Sequence, residues 1–391
     1  MPITGHTFAY TNPTGATGAV AGQVVQSAVW DQIHTDLQNA VNQVYGQVVA
    51  GISIRNLMAP NGGFEVWQRT NGGTSASIAV IASTLTYTAD RWYIQTGANQ
   101  AFTLSAATGL SSQSLIAGKV LRNSGQTGIT AVVFAYPFDT IEIAHMRGLQ
   151  LNFSMLAQTG ATWSPTSGTF SVTLYYGTGA AAKRNATPYT SEAQGFTIST
   201  NLAAGSAVTA IAASTSVVIP ATTTQMELQI AFTPVGTAGA TDFISFDDIQ
   251  LEPIGSTLTW APTNFDRIPF QMELELCKRF YQKTFDYSVA PAQGAGALNA
   301  LSALAVATQR VVLYWEYPVE LRALPTITSY NPAGATGNIE LYSLGADSGT
   351  SVAVSVNSTL GSTKAIVFYS TTSGGTTNQI AMLQAQADAG I

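Results

Sequence analysis

The sequence predicts a mainly β protein: an N-terminal arm and a trimeric coiled-coil helix, followed by a jelly-roll β-sandwich and a smaller C-terminal β-sandwich. Three observations lead there. Charged residues make up only 9% of the 391, while 46% are hydrophobic, and ordinary soluble domains carry roughly 25% charge. Short runs alternate apolar and polar side chains with the period of a half-buried strand. Turn clusters separate those runs with no helical pattern between them, as in sandwiches and jelly rolls.

Residues 1–24 read as an arm, because Thr11-Asn-Pro-Thr-Gly-Ala-Thr-Gly18 is turn chemistry with little to bury. Residues 25–56 read as a helical stalk. Trp30, Ile33, Leu37, Val41, Val44 and Val48 recur at spacings of 3 and 4, with Asp31, Gln32, Asp36 and Gln38 between them. That pattern suits the trimerising seam of a parallel coiled coil, or the apolar side of an amphipathic helix lying on a local core. Gly51 and Pro60 end the segment.

Residues 57–256 read as one jelly-roll sandwich. Its strand runs are Arg91-Trp-Tyr-Ile94, Ala131-Val-Val-Phe-Ala-Tyr136, Leu149-Gln-Leu-Asn-Phe-Ser-Met155, Phe170-Ser-Val-Thr-Leu-Tyr-Tyr176, Gln225-Met-Glu-Leu-Gln-Ile-Ala-Phe232 and Phe243-Ile-Ser-Phe246. Residues 257–285 read as a helical connector. Pro262, Asn264 and Pro269 interrupt regular structure, and Phe270, Leu274, Cys277 and Tyr281 then share one side of a short helix. Cys277 on that side reads as a small buried hydrophobe. Residues 286–391 read as a distal β-sandwich tip. Val311, Leu313, Trp315 and Tyr317 alternate with Val312, Tyr314 and Glu316, and further runs begin at Ser351, Lys364 and Gln379.

The same residues exclude several classes of function. A formal charge of −6 and scattered lysines leave no basic stripe for a nucleic acid. The apolar stretches break well short of the roughly 18 residues of a membrane span, so membrane insertion is not expected. The opening residues show neither a charged n-region nor an apolar h-region, so the expectation is synthesis in a cytoplasm without a standard signal peptide. Catalysis is not expected either. His6, His34 and His145 are the only histidines, and zinc, nucleophile-elbow and phosphate-loop motifs are absent. A carboxylate pair for glycoside hydrolysis would leave no sequence mark.

Three places carry a resemblance. Asn61-Gly-Gly-Phe-Glu-Val-Trp-Gln-Arg69 with Thr88-Ala-Asp-Arg-Trp92 is similar to the opening of a carbohydrate-binding-module-like jelly roll that recurs in bacteriophage tail fibres and related virion appendages. Phe246-Asp-Asp-Ile-Gln-Leu-Glu-Pro253 resembles its last strand, and leads into Phe265-Asp-Arg-Ile-Pro-Phe270 and Glu275-Leu-Cys-Lys-Arg-Phe-Tyr281. Tyr317-Pro-Val-Glu-Leu-Arg-Ala-Leu-Pro-Thr-Ile327 resembles a strand of the distal domain in the same proteins. Gly63 stands where the pattern often has Asp, and the end at Asp388-Ala-Gly-Ile391 is less acidic than usual.

The resemblance implies a virion protein that is a homotrimer, docks on other virion proteins through its arm, and recognises a host-surface polysaccharide without catalysis. A head, collar or neck fibre, or a decoration protein with a structural role, is the alternative. The resemblance also implies a structural Ca²⁺ held by Glu65, Asp247 and Asp248, no other cofactor being expected. The competing reading pairs those acids with Arg69 or Arg91. A glycan site would use an aromatic platform, for which Trp163, Tyr175, Tyr176, Tyr189, Trp260, Trp315 and Tyr330 are candidates. The contact residues themselves stay unassigned.

Overall fold

A computed structural model describes residues 56–391 apart from 215–216, 255–262, 307–308, 335, 344–345, 357–360 and 372–378. The chain divides into two units, Met1–Gly51 and Ile52–Ile391. The arm and the stalk, with the seam from Trp30 to Val48, lie outside the described residues. Among the described residues no helix is long and apolar enough to cross a membrane.

Two six-stranded antiparallel sheets form the larger sandwich. One contains β1 (Ser77–Val80), β4 (Phe102–Thr108), β5 (Ile116–Arg122), β12 (Phe243–Ile254), β7 (Gln150–Thr159) and β10 (Thr209–Ser214), in that spatial order. The other runs β2 (Leu85–Tyr87), β3 (Tyr93–Gln95), β6 (Val132–Phe138), β11 (Gln225–Phe232), β8 (Thr169–Thr178) and β9 (Thr190–Asn201). The expected alternation holds on β7, whose Leu151, Phe153 and Met155 enter the core while Gln150 and Ser154 face outward. On β11, Met226, Leu228, Ile230 and Phe232 point inward. An aromatic column fills the middle of the core: Trp92 stacks on Phe64 at 5.1 Å and on Phe134 at 4.7 Å, and Phe134 continues to Phe246 at 5.8 Å.

The Asn61–Arg69 segment closes one end of this core, and its residue types explain themselves locally. The Asn61 amide donates to the Val66 and Asp90 carbonyls and accepts from Val66 N, which folds the segment into a compact turn. A Cβ on Gly62 would stand 2.3 Å from the Ile249 carbonyl, so glycine is what lets this turn approach β12. Trp92 Nε1 donates to the Asn61 carbonyl, so the polar edge of the buried indole is satisfied.

Beyond the sandwich lie α1 (Thr140–Ala144), started by an Asp139–Glu142 capping box, and α2 (Phe270–Lys278). The smaller domain is organised around β21 (Gln379–Asp388). Its C-terminal half pairs with β13 (Tyr281–Lys283) and β16 (Thr326–Tyr330). Its N-terminal half pairs with β14 (Leu301–Ala305) and β17 (Ile339–Ser343), and β18 (Ala346–Val352) continues from β17. A three-stranded sheet of β15 (Val312–Glu316), β20 (Ala365–Ser370) and β19 (Val354–Val356) packs on the same core. The predicted alternation appears on β15: Val311, Leu313 and Trp315 are buried, whereas Val312 and Tyr314 are exposed. The sequence reading placed Tyr281 in the connector; its backbone instead joins the distal sheet as β13.

A buried charged seam joins the two domains. The Arg69 guanidinium lies between the rings of Tyr87 and Tyr281 and reaches Asp388 at 2.9 Å and Asp90 at 3.7 Å. Arg91 sits 3.5 Å from the Phe280 ring centroid and bonds to Glu142 and the Pro137 carbonyl. Asp139 receives Arg279 and Arg322. Gln68 donates to the Tyr281 carbonyl, and Lys283 donates to the Thr70 carbonyl. Cys277 is fully buried beside Val66 and Leu274, as its place on the apolar side of α2 implied.

Candidate functional site

The Asp247-Asp248 pair lies at a β-bulge. The register of β12 against β7 shifts between Asp247 and Gln250, and Asp248 takes a left-handed backbone with φ 49°. A bulge re-aims side chains. Here it sends Ile249 into the core and turns the two carboxylates in different directions. Asp247 accepts from Leu110 N at 2.7 Å and so anchors the loop between β4 and β5. Burial, and then the Asp248 charge, push the Asp247 carboxyl up to about 7. Asp248 instead bonds to Arg267.

Of the expected ligand set, Glu65 and Asp248 both face one arginine, whereas Asp247 turns to the loop backbone. Arg267 stands between Glu65, at 3.2 Å, and Asp248, and Asp247 is committed to the loop backbone. Among the described residues no group of three His, Cys, Asp or Glu side chains is placed to hold a metal ion. The arginine paired with Glu65 and Asp248 is Arg267. Arg69 and Arg91 are spent in the seam, and Arg267 arrives from the connector.

Beside Asp248 the outer face of the first sheet opens into a cleft of about 420 Å³. Its floor is Ser154 and Leu156 on β7 and their cross-strand partners Ala212 and Ala210 on β10. One wall is Ser111, Ser112 and Gln113, in the loop that Asp247 anchors. The opposite wall is Thr263, Asn264 and Phe265. That wall is fastened to β12: Gln250 donates to Thr263 Oγ1 and accepts from Asp266 N, and Glu252 accepts from the Thr263 hydroxyl. Arg267 closes the end, donating to Ser111 Oγ at 3.3 Å with its guanidinium 5.0 Å from the Phe265 ring centroid. The result is a small-residue floor rimmed by hydroxyls, amides, one carboxylate and one aromatic ring. Asp248 is the one acidic side chain in that lining.

None of the described aromatic candidates lines this cleft. Trp163 is core, 4.9 Å from the Phe232 ring. Tyr176 packs against the same core, Trp315 stands edge-on to Tyr317, and Tyr330 meets Phe285. Trp260 lies outside the described residues. Tyr175 and Tyr189 belong to a second polar cluster, on the outer face of the other sheet. There the segment between β8 and β9 folds back over the strands. The Arg184 guanidinium covers Tyr175 at 3.6 Å and forms a two-pronged bond with Glu192, and its backbone N–H donates to Glu227. Glu227, fully buried, also accepts from Tyr93 Oη at 2.7 Å and from Gln229.

No family model matches the chain, and no curated protein matches it. Solved structures with some likeness include carbohydrate-binding and phage proteins. One is the module 22-1 and glycoside hydrolase 10 portion of the Clostridium thermocellum xylanase 10B, bound to xylohexaose, at 16% identity and a TM-score of 0.29. That match covers 54% of this chain and 30% of the xylanase chain. A xylan-binding domain of family 22 matches at 15% identity and a TM-score of 0.28, over 43% of this chain and 90% of that one. The enzymatically active domain of tailspike protein 4 of bacteriophage CBA120 matches at 12% identity and a TM-score of 0.29, over 51% of this chain and 22% of that one. Likeness at these scores carries no inference about function.

Sequence reasoning missed Phe265 and Arg267 as wall residues of a cleft. The signal was present, since both stand in the segment that resembles fibre connectors, but their place beside Asp248 depends on how that segment lies along β12. The Glu227 cluster left no comparable mark. Its consequence is measurable. Burial pushes Glu227 up to about 7, and does the same to Glu273, which accepts from Asn61 N. Both carboxyls hold a proton more tightly folded than unfolded, so the stability they contribute is complete below about pH 4.5 and is lost as pH rises through 7. Asp139 is shifted the other way, by Arg322 and Arg279 against its burial, so its contribution falls away only on acidification below the ordinary carboxylate range. The melting temperature is therefore expected to drop between pH 5 and pH 8. Glu227→Gln should flatten that slope in a thermal scan across the same range; an unchanged slope would remove Glu227 from the account.

Proposed function

We propose that this chain is a subunit of a bacteriophage fibre that binds a host-surface glycan and leaves it intact. The observation that supports the glycan reading is the cleft on the first sheet. Its volume of about 420 Å³ lies in the range of small-ligand sites. Its rim supplies the short hydroxyl and amide groups that exchange hydrogen bonds with sugar hydroxyls. The non-catalytic part rests on the same lining. Glycoside hydrolysis needs two carboxyl groups flanking one bond, and the described lining offers Asp248 alone, tied to Arg267. The fibre part rests on the resemblance of the Asn61–Arg69, Phe246–Pro253 and Phe265–Phe270 segments. In this reading the seam from Trp30 to Val48 sets threefold association. Three linked sites raise apparent affinity by roughly 10²–10⁴ over one.

Competition for adsorption tests the proposal. The purified chain should block adsorption of its phage to host cells in a dose-dependent way. Host polysaccharide incubated with it should keep its length on size-exclusion chromatography. Shortening of the polymer would overturn the non-catalytic reading. Undiminished adsorption at saturating protein would point to a head, collar or neck fibre instead.

A further inference from the structure

We infer that the cleft between the 111–113 loop and the 263–265 segment selects an uncharged stretch of glycan about two sugar rings long, and rejects uronic, sialic and sulfated sugars. This inference rests on the glycan reading above and gives it a ligand class. The charges around the closed end decide it. Among the described residues Arg267 is the one cation there, and Glu65 and Asp248 already claim it. Asp266 adjoins it in the same segment, among residues that share a small hollow with Glu65. Among the described residues the end wall thus carries more carboxylates than guanidinium, and an anionic sugar would meet repulsion and no unclaimed cation there. An arginine held between two carboxylates, Ser111 Oγ and the Phe265 ring is a brace for the wall, not an anion receptor.

The floor and rim suit a neutral saccharide. Ala210 and Ala212 are exposed and flat, so a pyranose can lie against them with its C–H face down. Phe265 offers an apolar ring from the side, and Asp248, Ser111 and Asn264 stand where the polar edge of a sugar would be. The bulge matters here: without the extra residue at Asp248, the carboxylate would not face the cleft.

The test is a binding panel read by calorimetry with the full chain. Neutral hexaoses of glucose, mannose, galactose and xylose are set against hexuronic-acid hexamers of similar length. At least one neutral hexaose is expected to bind, and every uronic hexamer at least tenfold more weakly. Ala210→Ile, an exposed change that suits a strand and fills the floor, should weaken neutral binding about tenfold or more, equivalent to about 1.4 kcal/mol. Phe265→Ala should weaken it similarly, with the melting temperature of each variant confirming that it is folded. Equal or tighter binding of the uronic hexamers would overturn the selectivity and leave the glycan reading standing. Neutral binding indifferent to both substitutions would place the ligand elsewhere and overturn the cleft assignment. Binding of no hexaose from either class would overturn the glycan reading, and this inference with it.

Discussion

Trp92→Ala is expected to destabilise the Ile52–Ile391 unit by about 3–5 kcal/mol, the range for truncating a buried tryptophan. Trp92 has no exposed surface and touches Phe64, Phe134 and Tyr136, so its loss opens a cavity in the middle of the aromatic column. It also strips the Asn61 carbonyl of its indole donor at 2.9 Å, beside the turn that brings Gly62 against β12. Small domains are stable by roughly 5–15 kcal/mol, so one substitution would consume a large part of the total. Trp92→Phe, which keeps one stacked ring and loses the N–H with part of the indole's volume, should cost clearly less. Chemical denaturation with tryptophan-independent detection measures both. Equal costs for the two variants would mean that the hydrogen bond, not the column, holds this end of the sandwich.

Asp90→Ala should be comparably damaging, at about 3–5 kcal/mol, because it breaks a buried ion pair from one side. Asp90 accepts from Gln68 N at 2.6 Å and from Gln68 Nε2, and it shares Arg69 with Asp388. Burial raises its pKa and Arg69 opposes that shift. Removing it leaves Gln68 N without its carboxylate acceptor and weakens the hold on Tyr281. The distinguishing readout is local. Amide hydrogen exchange should quicken at β13 and the paired end of β21 before it does so in β11. Uniform acceleration would indicate that the seam has no stability of its own apart from the sandwich.

Much of the fold was legible because strands announce themselves through alternation. Leu151, Phe153 and Met155, and likewise Leu313 and Trp315, could be assigned to inner faces from spacing alone. The edge strands were harder. β1, β2 and β10 are short and rich in Ala, Thr and Ser, which give little contrast between one face and the other. Polar residues on β11 were legible as outward-facing, yet Glu227 and Gln229 are buried, because a distant segment covers them and no local pattern records that. The candidate site was read in half. Asp247 and Asp248 stood out as a pair, but a bulge separates their directions, and a bulge of this kind has no composition signature. The same limit applies to Arg69 and Arg91. Both belonged to motifs noted for resemblance, and both hold the distal domain in place, a role visible only once β13 joins β21.

The seam has one more consequence. In most proteins arginine and aspartate sit where dissolved ions reach them, and added salt weakens their attraction within a Debye length of about 10 Å at 0.1 M. Here a sparse supply of ionic side chains is gathered inside, with Arg91 at 3% and Asp90 at 1% exposure. The rings of Tyr87 and Tyr281 on either side of the Arg69 guanidinium limit the approach of counterions to it. The distal domain should therefore keep its grip on the sandwich in fresh water and in brine alike.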